Sequence, residues 1–325
     1  MVSSKRKRKR WGRYVDKRDW KEYNERLVKR GEMYLNLDFL EAWDKDVNGL
    51  NKGKVGAPFE YPESLMTFLG FIHVMLGVDY RGLEGFMRGL QKFVSVAVPD
   101  YSTICRRVNS LKLEITETLL DHDGEEVVVS LDSSGLKVSN RGDWMRKVWK
   151  VHRGWIKIHI AVDKGEKQCV AIKVTDESTG DQNEFRPLVK EAERNIGAKG
   201  GRVKQVNADG AYDSRDNFNT LDEMEIIPAI KIRKNAIARA KGSPLRKRHV
   251  REYKRLGYKK WRKKYEYGYR WRAEGNFSAV KRLTGEYVVA TKKTNMFKEA
   301  AMKFLFYNSV IRYDKTTQPP WVTGA

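Results

Sequence analysis

The sequence predicts an α/β protein in which a mixed β-sheet carries helices on its faces and follows a helical region. Between residue 58 and about residue 120, apolar residues recur at helical spacing. After Gly124, short apolar strands alternate with helices in the order β-β-β-α-β-α-β, before a basic insertion and further helices. A chain of 325 residues, 40% of them hydrophobic, can fill the core of such a fold.

Residues 1–57 are polar and are interpreted as a basic arm and linker. They contain six consecutive basic residues, Lys5–Arg10, and end in the glycine-rich stretch NGLNKGKVGAP. No apolar segment typical of a signal peptide follows the basic start, and the longest apolar stretch, Ser64–Val78, is too short to span a bilayer. Cys105 and Cys169 lie far apart and outside any CxxC motif, which indicates buried thiols in a reducing cytoplasm.

Residues 58–122 are predicted to form a helical domain. A long apolar helix is followed by YRGLEGFMRGLQKF and, after the turn at Pro99-Asp100, by a further short helix. That last helix bears Arg106 and Arg107, and two short helices joined by a turn resemble a DNA-binding helix-turn-helix. A plain helical bundle with surface arginines explains the pattern equally well.

Residues 123–313 are predicted to form the sheet domain, with residues 314–325 as a tail. The elements are expected in this order: strand Glu125–Asp132, strands Trp155–Asp163 and Cys169–Asp176 as a hairpin, a helix closed by Gly197, strand Val203–Asp209, a helix within SRDNFNTLDEME, strand IIPAI, a basic insertion at about 231–264, a helix around Glu274, strand YVVAT and a C-terminal helix. Clean alternation in WIKIHIAVD predicts that its isoleucines share one face.

The net charge of +23 is concentrated in the arm and the insertion. Lys231–Lys264 holds 16 Lys and Arg residues against one acid, Glu252, a density that fits a polyanion, most simply DNA or RNA. Aromatic residues interleaved with these charges are expected to pack on sugars and bases as well as on the protein: Tyr253, Tyr258, Trp261 and Tyr265.

Three carboxylates stand at positions where ligands bind. Asp132 in SLDSSG and Asp209 in NADGAYDS each end an apolar strand, beside a tight turn. A helix through YGYRWRAEGNFSAVK would hold four polar residues within roughly a 60° sector: Tyr267, Arg270, Glu274 and Lys281. Oxygen donors from separate segments suit Mg²⁺ or Mn²⁺. Each acid alone is also explained as a turn former or as one member of an ion pair.

Neighbouring polar residues receive plainer interpretations. Asp213, four residues after Asp209, is expected to cap the next helix rather than to bind a ligand. Asp163, Asp176 and Asp181 are interpreted as turn or capping residues. His159 alternates with the apolar face of its strand, which favours exposure to solvent or DNA.

The spacing of Tyr267, Arg270, Glu274 and Lys281 resembles the Y-(2)-R-(3)-E-(6)-K signature of DDE transposases from prokaryotic insertion sequences, in the insertion-sequence-four/five superfamily. LDSSG, ADGAYDS, HRGWIKIHIAVD and PDYSTICRRV also resemble segments of that family, and the resemblance covers roughly residues 58–313. It implies an RNase H-like catalytic domain behind a helical DNA-binding region.

The resemblance also implies roles for particular residues. Asp132, Asp209 and Glu274 would form the catalytic triad and bind two Mg²⁺ ions, for which Mn²⁺ substitutes. Arg270, Lys281 and Tyr267 would bind DNA near the cleaved phosphate, Tyr267 by packing or hydrogen-bonding nearby. The basic insertion would contact the transposon end.

The implied function is a transposase that binds the terminal repeats of its element and catalyses strand cleavage and strand transfer. Such an enzyme is expected to work as a homodimer on paired ends, at the nucleoid in the cytoplasm. Two alternatives remain open from the sequence: a related metal-dependent nuclease that cuts without joining, and a non-catalytic DNA-binding protein derived from a transposase.

Overall fold

The computed structural model describes residues 19–112, 114–138 and 154–317, and a mixed β-sheet forms its centre. The strands are β1 (Glu126–Val138), β2 (Trp155–Asp163), β3 (Cys169–Asp176), β4 (Arg202–Ala208), β5 (Ile227–Ile230) and β6 (Tyr287–Val288). The order across the sheet is β3-β2-β1-β4-β5, and β6 pairs with the far end of β1. The expected basic arm at Lys5–Arg10 lies outside the described residues.

Helices precede the sheet, cross between its strands and cover its faces. They are α1 (Trp20–Tyr34), α2 (Trp43–Asn51), α3 (Glu63–Leu76), α4 (Tyr80–Leu90), α5 (Tyr101–Ser110), α6 (Asp181–Gly197), α7 (Arg215–Glu223), α8 (Pro244–Lys264), α9 (Trp271–Thr284) and α10 (Lys293–Thr316). Short 3₁₀ turns add to these, and two of them, Gly210–Tyr212 and Tyr267–Arg270, border the site described below.

The central strand β1 has neighbours that run in opposite directions. β2 pairs antiparallel with β1 and with β3, whereas β4 runs parallel to β1 and β5 runs parallel to β4. The chain therefore makes a three-stranded meander and returns beside β1 through the crossover helix α6. This is the RNase H-like mixed sheet with flanking helices that the sequence predicts.

The two faces of the sheet are covered by different helices. On one face, Val129 and Leu131 of β1 pack among apolar residues of α6 and α7. On the other face, the alternating residues of β2 pack against α9 and α10: Ile156, Ile158, Ile160 and Val162. The period-2 pattern that predicted β2 is thus the pattern that buries its apolar face.

Residues 19–57 are largely helical, which corrects their interpretation as a linker. The Asp19 carboxylate accepts hydrogen bonds from two amides in the first turn of α1 and so caps this helix. Met33 and Phe39 are fully buried in one cluster with α3, α4 and α5. Met302 and Phe306 of α10 belong to the same cluster, so the C-terminal helix joins the helical region to the sheet.

The most apolar helix, α3, is buried on nearly every side by the other helices. In the described ranges, no helix combines the length and the apolar character that crossing a membrane requires.

The helix pair α4 and α5 departs from the expected helix-turn-helix. Residues 91–100 connect the two helices, a longer connection than the three- or four-residue turn of that motif. The Arg107 guanidinium donates to the carbonyl oxygen of Tyr61 at 3.1 Å and lies 4.6 Å from the Phe59 ring centre. The Arg107 side chain therefore contacts other parts of the protein, whereas Arg106 is exposed.

Three aromatic residues of the basic insertion, Tyr253, Trp261 and Tyr265, pack on the protein, which is one of the two placements expected for them. α8 kinks at Gly257, whose φ of +69° suits glycine. Trp261 is fully buried, with its ring centre 5.0 Å from that of Tyr253 and 4.9 Å from that of Tyr267. Tyr258 stays exposed. Most of the other exposed residues of α8 are Lys and Arg.

Candidate active site

The register of the sheet brings Asp132 and Asp209 together, although Asp132 lies within β1 and not at its end as expected. β1 and β4 are parallel and pair as far as Ser130 opposite Asn207. Asp132 and Asp209 each lie two residues beyond that pair, so they stand side by side where β4 ends. The Asp209 charge acts on the Asp132 carboxyl, which agrees with this placement.

Asp209 and its neighbour Asp213 have different surroundings. Asp209 is partly exposed and accepts a hydrogen bond from the Ala211 amide at 2.7 Å, at the start of the 3₁₀ turn. Asp213 is buried, lies 2.7 Å from Arg246 Nε and accepts from the amide of Arg233 at 3.1 Å. The expectation that Asp213 caps α7 is wrong, because Ser214 caps it. Asp213 is a structural ion-pair partner.

The third acid, Glu274, lies in the first turn of α9 and faces the aspartates. Its side chain is 54% exposed, and its carboxylate contacts the guanidinium of Arg270. Nη1 of the same guanidinium lies 3.7 Å from Oδ2 of Asp132. Arg270 therefore bridges two of the three acids that the sequence singles out.

The 3₁₀ turn Tyr267–Arg270 is what holds Arg270 and Glu274 at the sheet. The Tyr267 hydroxyl donates to the carbonyl oxygen of Ala208 at 3.3 Å, and the Ser130 hydroxyl donates to that of Tyr269 at 3.4 Å. Tyr267 is only 5% exposed, so the expectation that it contacts DNA does not fit. Its hydrogen bond anchors the 3₁₀ turn to the end of β4.

Lys281 extends the site two turns along α9. Its ammonium donates to the Ser134 hydroxyl at 2.9 Å, on the strand that carries Asp132. Both residues line an open cleft of about 490 Å³, together with Asp132 and Glu274. The cleft thus offers carboxylates at one end and a cation beside them, a suitable surface for a phosphodiester and its counterions.

The electrostatics of the cleft favour an added positive charge. Burial raises the pKa of Asp132 to about 6, against the lowering effect of Arg270, and the charges of Glu274 and Asp209 raise it further. These acids repel one another when all are ionised, so a cation placed between them is stabilised. Arg270 already supplies one such charge.

The donor set fits a hard divalent cation by its chemistry, since every candidate ligand is a carboxylate oxygen. Among the residues that the structure describes, no three acidic, His or Cys side chains are close enough together to hold a metal as they stand. The guanidinium of Arg270 lies between Asp132 and Glu274, and binding of an ion by both would require it to turn aside.

A second polar group lies behind the acids, and sequence reasoning missed it. His159, expected to be exposed, is fully buried and lies 3.4 Å from Asp181, which also pairs with Lys157 at 2.8 Å. Burial lowers the pKa of His159 to about 4, so its ring is neutral at pH 7. Asp181 also accepts from the hydroxyl of Ser133, next to Asp132. In the sequence, Lys157 and His159 alternate with the isoleucines of β2, and this polar face is the pattern that could have indicated the group.

Two family models, each described as a transposase DDE domain, match this chain, one over residues 123–309 and the other over residues 28–141. The first covers more than half of the chain and includes all three acids. The second begins within α1, so the family resemblance reaches further towards the N-terminus than the sequence motifs indicated.

Two solved structures overlap more loosely. A piggyBac transposase synaptic complex with hairpin DNA has 11% sequence identity and a TM-score of 0.41, over 91% of this chain and 77% of that chain. An intasome of simian T-cell lymphotropic virus with the PP2A regulatory subunit B56 gamma has 14% identity and a TM-score of 0.24, over 58% of this chain and 59% of that chain.

Proposed function

The chain belongs to the DDE transposase family, and on that premise we propose that Asp132, Asp209 and Glu274 are its catalytic triad. Family membership makes it an enzyme that cleaves and joins DNA strands in transposition. One observation supports the triad above all. The strand register sets Asp132 beside Asp209, and Arg270 ties Asp132 to Glu274.

Members of this family use divalent metal ions, and we propose two Mg²⁺ ions here, with Mn²⁺ as a substitute. When bound, such ions activate the attacking oxygen and stabilise the leaving 3′ oxygen. The protein supplies the carboxylates that hold them. Arg270 and Lys281 bind the non-bridging oxygens of the scissile phosphate and hold it in line for attack.

DNA is the partner that the surface fits. The exposed face of α8 carries a dense row of Lys and Arg residues, and Arg106 lies exposed on α5. These cations neutralise backbone phosphates, and binding is therefore expected to weaken with salt. The proposed substrate is the terminal inverted repeats of the element together with a target duplex, held by a homodimer at the nucleoid.

The test is cleavage of a DNA fragment that carries both element ends, with Mg²⁺, by variants of each acid. Asp132→Asn, Asp209→Asn and Glu274→Gln should each slow cleavage at least about 10³-fold, because each removes a charge that holds the ions. End binding in a gel-shift assay should be nearly unchanged. Glu223→Gln, which alters an exposed surface pair with Arg186, is the matched control.

Wild-type cleavage rates in any of the three variants would remove that residue from the triad. Products joined to a target plasmid distinguish a transposase from a nuclease that only cuts. Failure of the wild-type protein to nick DNA with Mg²⁺ or Mn²⁺ would favour a non-catalytic DNA-binding role.

A further inference from the structure

An arginine of the basic insertion binds the turn that follows Asp209. Arg233 stands at the start of this insertion, three residues after β5 ends. Its guanidinium donates from Nε to the carbonyl oxygen of Gly210 at 2.7 Å and from Nη2 to that of Ala211 at 2.8 Å. Both acceptors belong to the 3₁₀ turn Gly210–Tyr212. The mechanism proposed above gives this pair of hydrogen bonds no function.

One of the two bonds is coupled to Asp209 through a single peptide group. The carbonyl of Gly210 and the amide of Ala211 are the two ends of one planar peptide unit. Arg233 holds the oxygen end, more closely than the Asp213 amide does at 3.3 Å, and the N–H end donates to Oδ1 of Asp209 at 2.7 Å. Rotation of this peptide would therefore break the bonds at both ends. A cation at the oxygen end also polarises the peptide and strengthens the donation from the other end.

The backbone that carries Arg233 is itself held against the same part of the sheet. The Lys231 amide donates to the carbonyl oxygen of Ala208 at 3.1 Å, and the Arg233 amide donates to Oδ2 of Asp213 at 3.1 Å. A Cβ atom at Gly210 would lie 3.3 Å from the carbonyl oxygen of Lys231, so glycine allows the turn to approach this backbone closely. The Arg233 side chain therefore extends from a backbone that is anchored next to the end of β4.

We propose that Arg233 is a positioning residue of the active site, which orients the Asp209 carboxylate by holding the peptide that donates to it. The inference rests on the triad proposed above, in which Asp209 holds a metal ion. Loss of a group that orients a metal-binding carboxylate typically lowers metal affinity about 10–100-fold. The Gln182 side chain also donates to the carbonyl oxygen of Ala211, at 2.9 Å, so loss of the Arg233 bonds is expected to loosen the turn without unfolding it.

The test is Arg233→Gln in the full-length protein. Mn²⁺ binding, followed by electron paramagnetic resonance of the free ion, should weaken about tenfold, because Arg233 acts on the carboxylate through a peptide. In the metal-free protein, hydrogen exchange of the Ala211 amide should become faster. Arg233→Lys keeps the charge but cannot span two carbonyl oxygens, so its Mn²⁺ affinity should lie between those of Arg233→Gln and the wild type. Arg202→Gln, at an exposed pair with Glu126 where β4 begins, is the matched control and should equal the wild type in both measurements.

A second variant separates this inference from its alternatives. In the background of Asp209→Asn, Arg233→Gln should cause no further loss of Mn²⁺ affinity, because the charged carboxylate that it orients is gone. An equal loss in both backgrounds would overturn the inference. So would unchanged Mn²⁺ affinity in Arg233→Gln with a salt dependence of DNA binding lowered by about one unit, the result expected of a phosphate contact. The triad is judged separately: Asp209→Asn alone must weaken Mn²⁺ binding and abolish cleavage, whatever Arg233→Gln does.

Discussion

Asp213 stands four residues after Asp209, but its pairing differs from that of the three acids of the candidate site. Asp213 is buried, and Arg246 and a backbone amide satisfy its carboxylate. Asp132 and Glu274 are partly exposed, repel each other and Asp209, and share the single guanidinium of Arg270. The charge of Asp213 is neutralised by a partner within the protein, whereas the three candidate acids have too few cations around them.

The difference shows how the chain separates stability from chemistry. A carboxylate that has its cation inside the protein holds segments together and has no capacity for a ligand. Carboxylates that lack enough cations cost stability in the free protein, and this deficit of positive charge favours the binding of metal ions. Three predictions test this contrast.

The largest effect on stability is expected at the paired acid. Asp213→Asn leaves the charge of Arg246 buried without its partner and should lower the free energy of unfolding by about 3 kcal/mol. Asp209→Asn should change it by no more than about 0.5 kcal/mol, since asparagine also caps the 3₁₀ turn. Urea unfolding of the metal-free proteins at pH 7 measures both.

The double variant Asp213→Asn with Arg246→Met removes both charges and should recover part of the lost stability. Equal destabilisation by Asp213→Asn and Asp209→Asn would contradict the contrast between the two groups.

The next effect concerns the shared cation. Arg270→Gln removes the charge that offsets Asp132 and Glu274 and that we propose to hold the scissile phosphate, so the cleavage rate at saturating Mg²⁺ should fall about 10–100-fold. Arg270→Lys keeps the charge without the planar fork and should lose less. Arg186→Gln, at an exposed pair with Glu223, should match the wild type. A full rate for Arg270→Gln would show that this cation has no part in catalysis.

The smallest effect is a pH dependence of stability. Burial raises the pKa of Asp132 to about 6 from an ordinary value of 3.8. The folded protein keeps this proton at pH values where the unfolded chain has lost it, so stability falls as pH rises from about 4 to about 6. Above that range Asp132→Asn should be more stable than the wild type by about 1–2 kcal/mol, and at pH 4 the two should be equal.

Chemical unfolding in EDTA at pH 4, 6 and 7.5 gives the comparison. A stability difference that does not change with pH would indicate that the amide acts through packing rather than through the charge of Asp132.

Much of the fold could be predicted from local pattern. The alternation in WIKIHIAVD gave the bounds of β2 correctly, because one face of that strand is buried against α9 and α10. β1 was predicted to end at Asp132 but continues to Val138, since β2 and β6 pair with residues that look polar in isolation. The helices α1 and α2 were missed because their burial depends on distant partners such as α10.

Some residues of the candidate site could also be predicted from the sequence, and others could not. The signature spacing pointed to Arg270, Glu274 and Lys281, and all three line or adjoin the cleft. Tyr267 and Arg107 looked like DNA contacts, but both are occupied by the protein. An aromatic or basic residue in a basic run has the same appearance whether it points inwards or outwards, and only packing separates the two cases.

Local spacing and composition were enough to predict the order of strands and helices in the sheet domain, the concentration of charge and the three acids of the proposed triad. Which of the acids lack an ion-pair partner depends on the tertiary structure. Asp209 and Asp213 lie four residues apart in sequence, but only the fold brings Asp132 to the first and Arg246 to the second. Pairing of charges over such distances depends on strand register and helix docking, which no local pattern encodes.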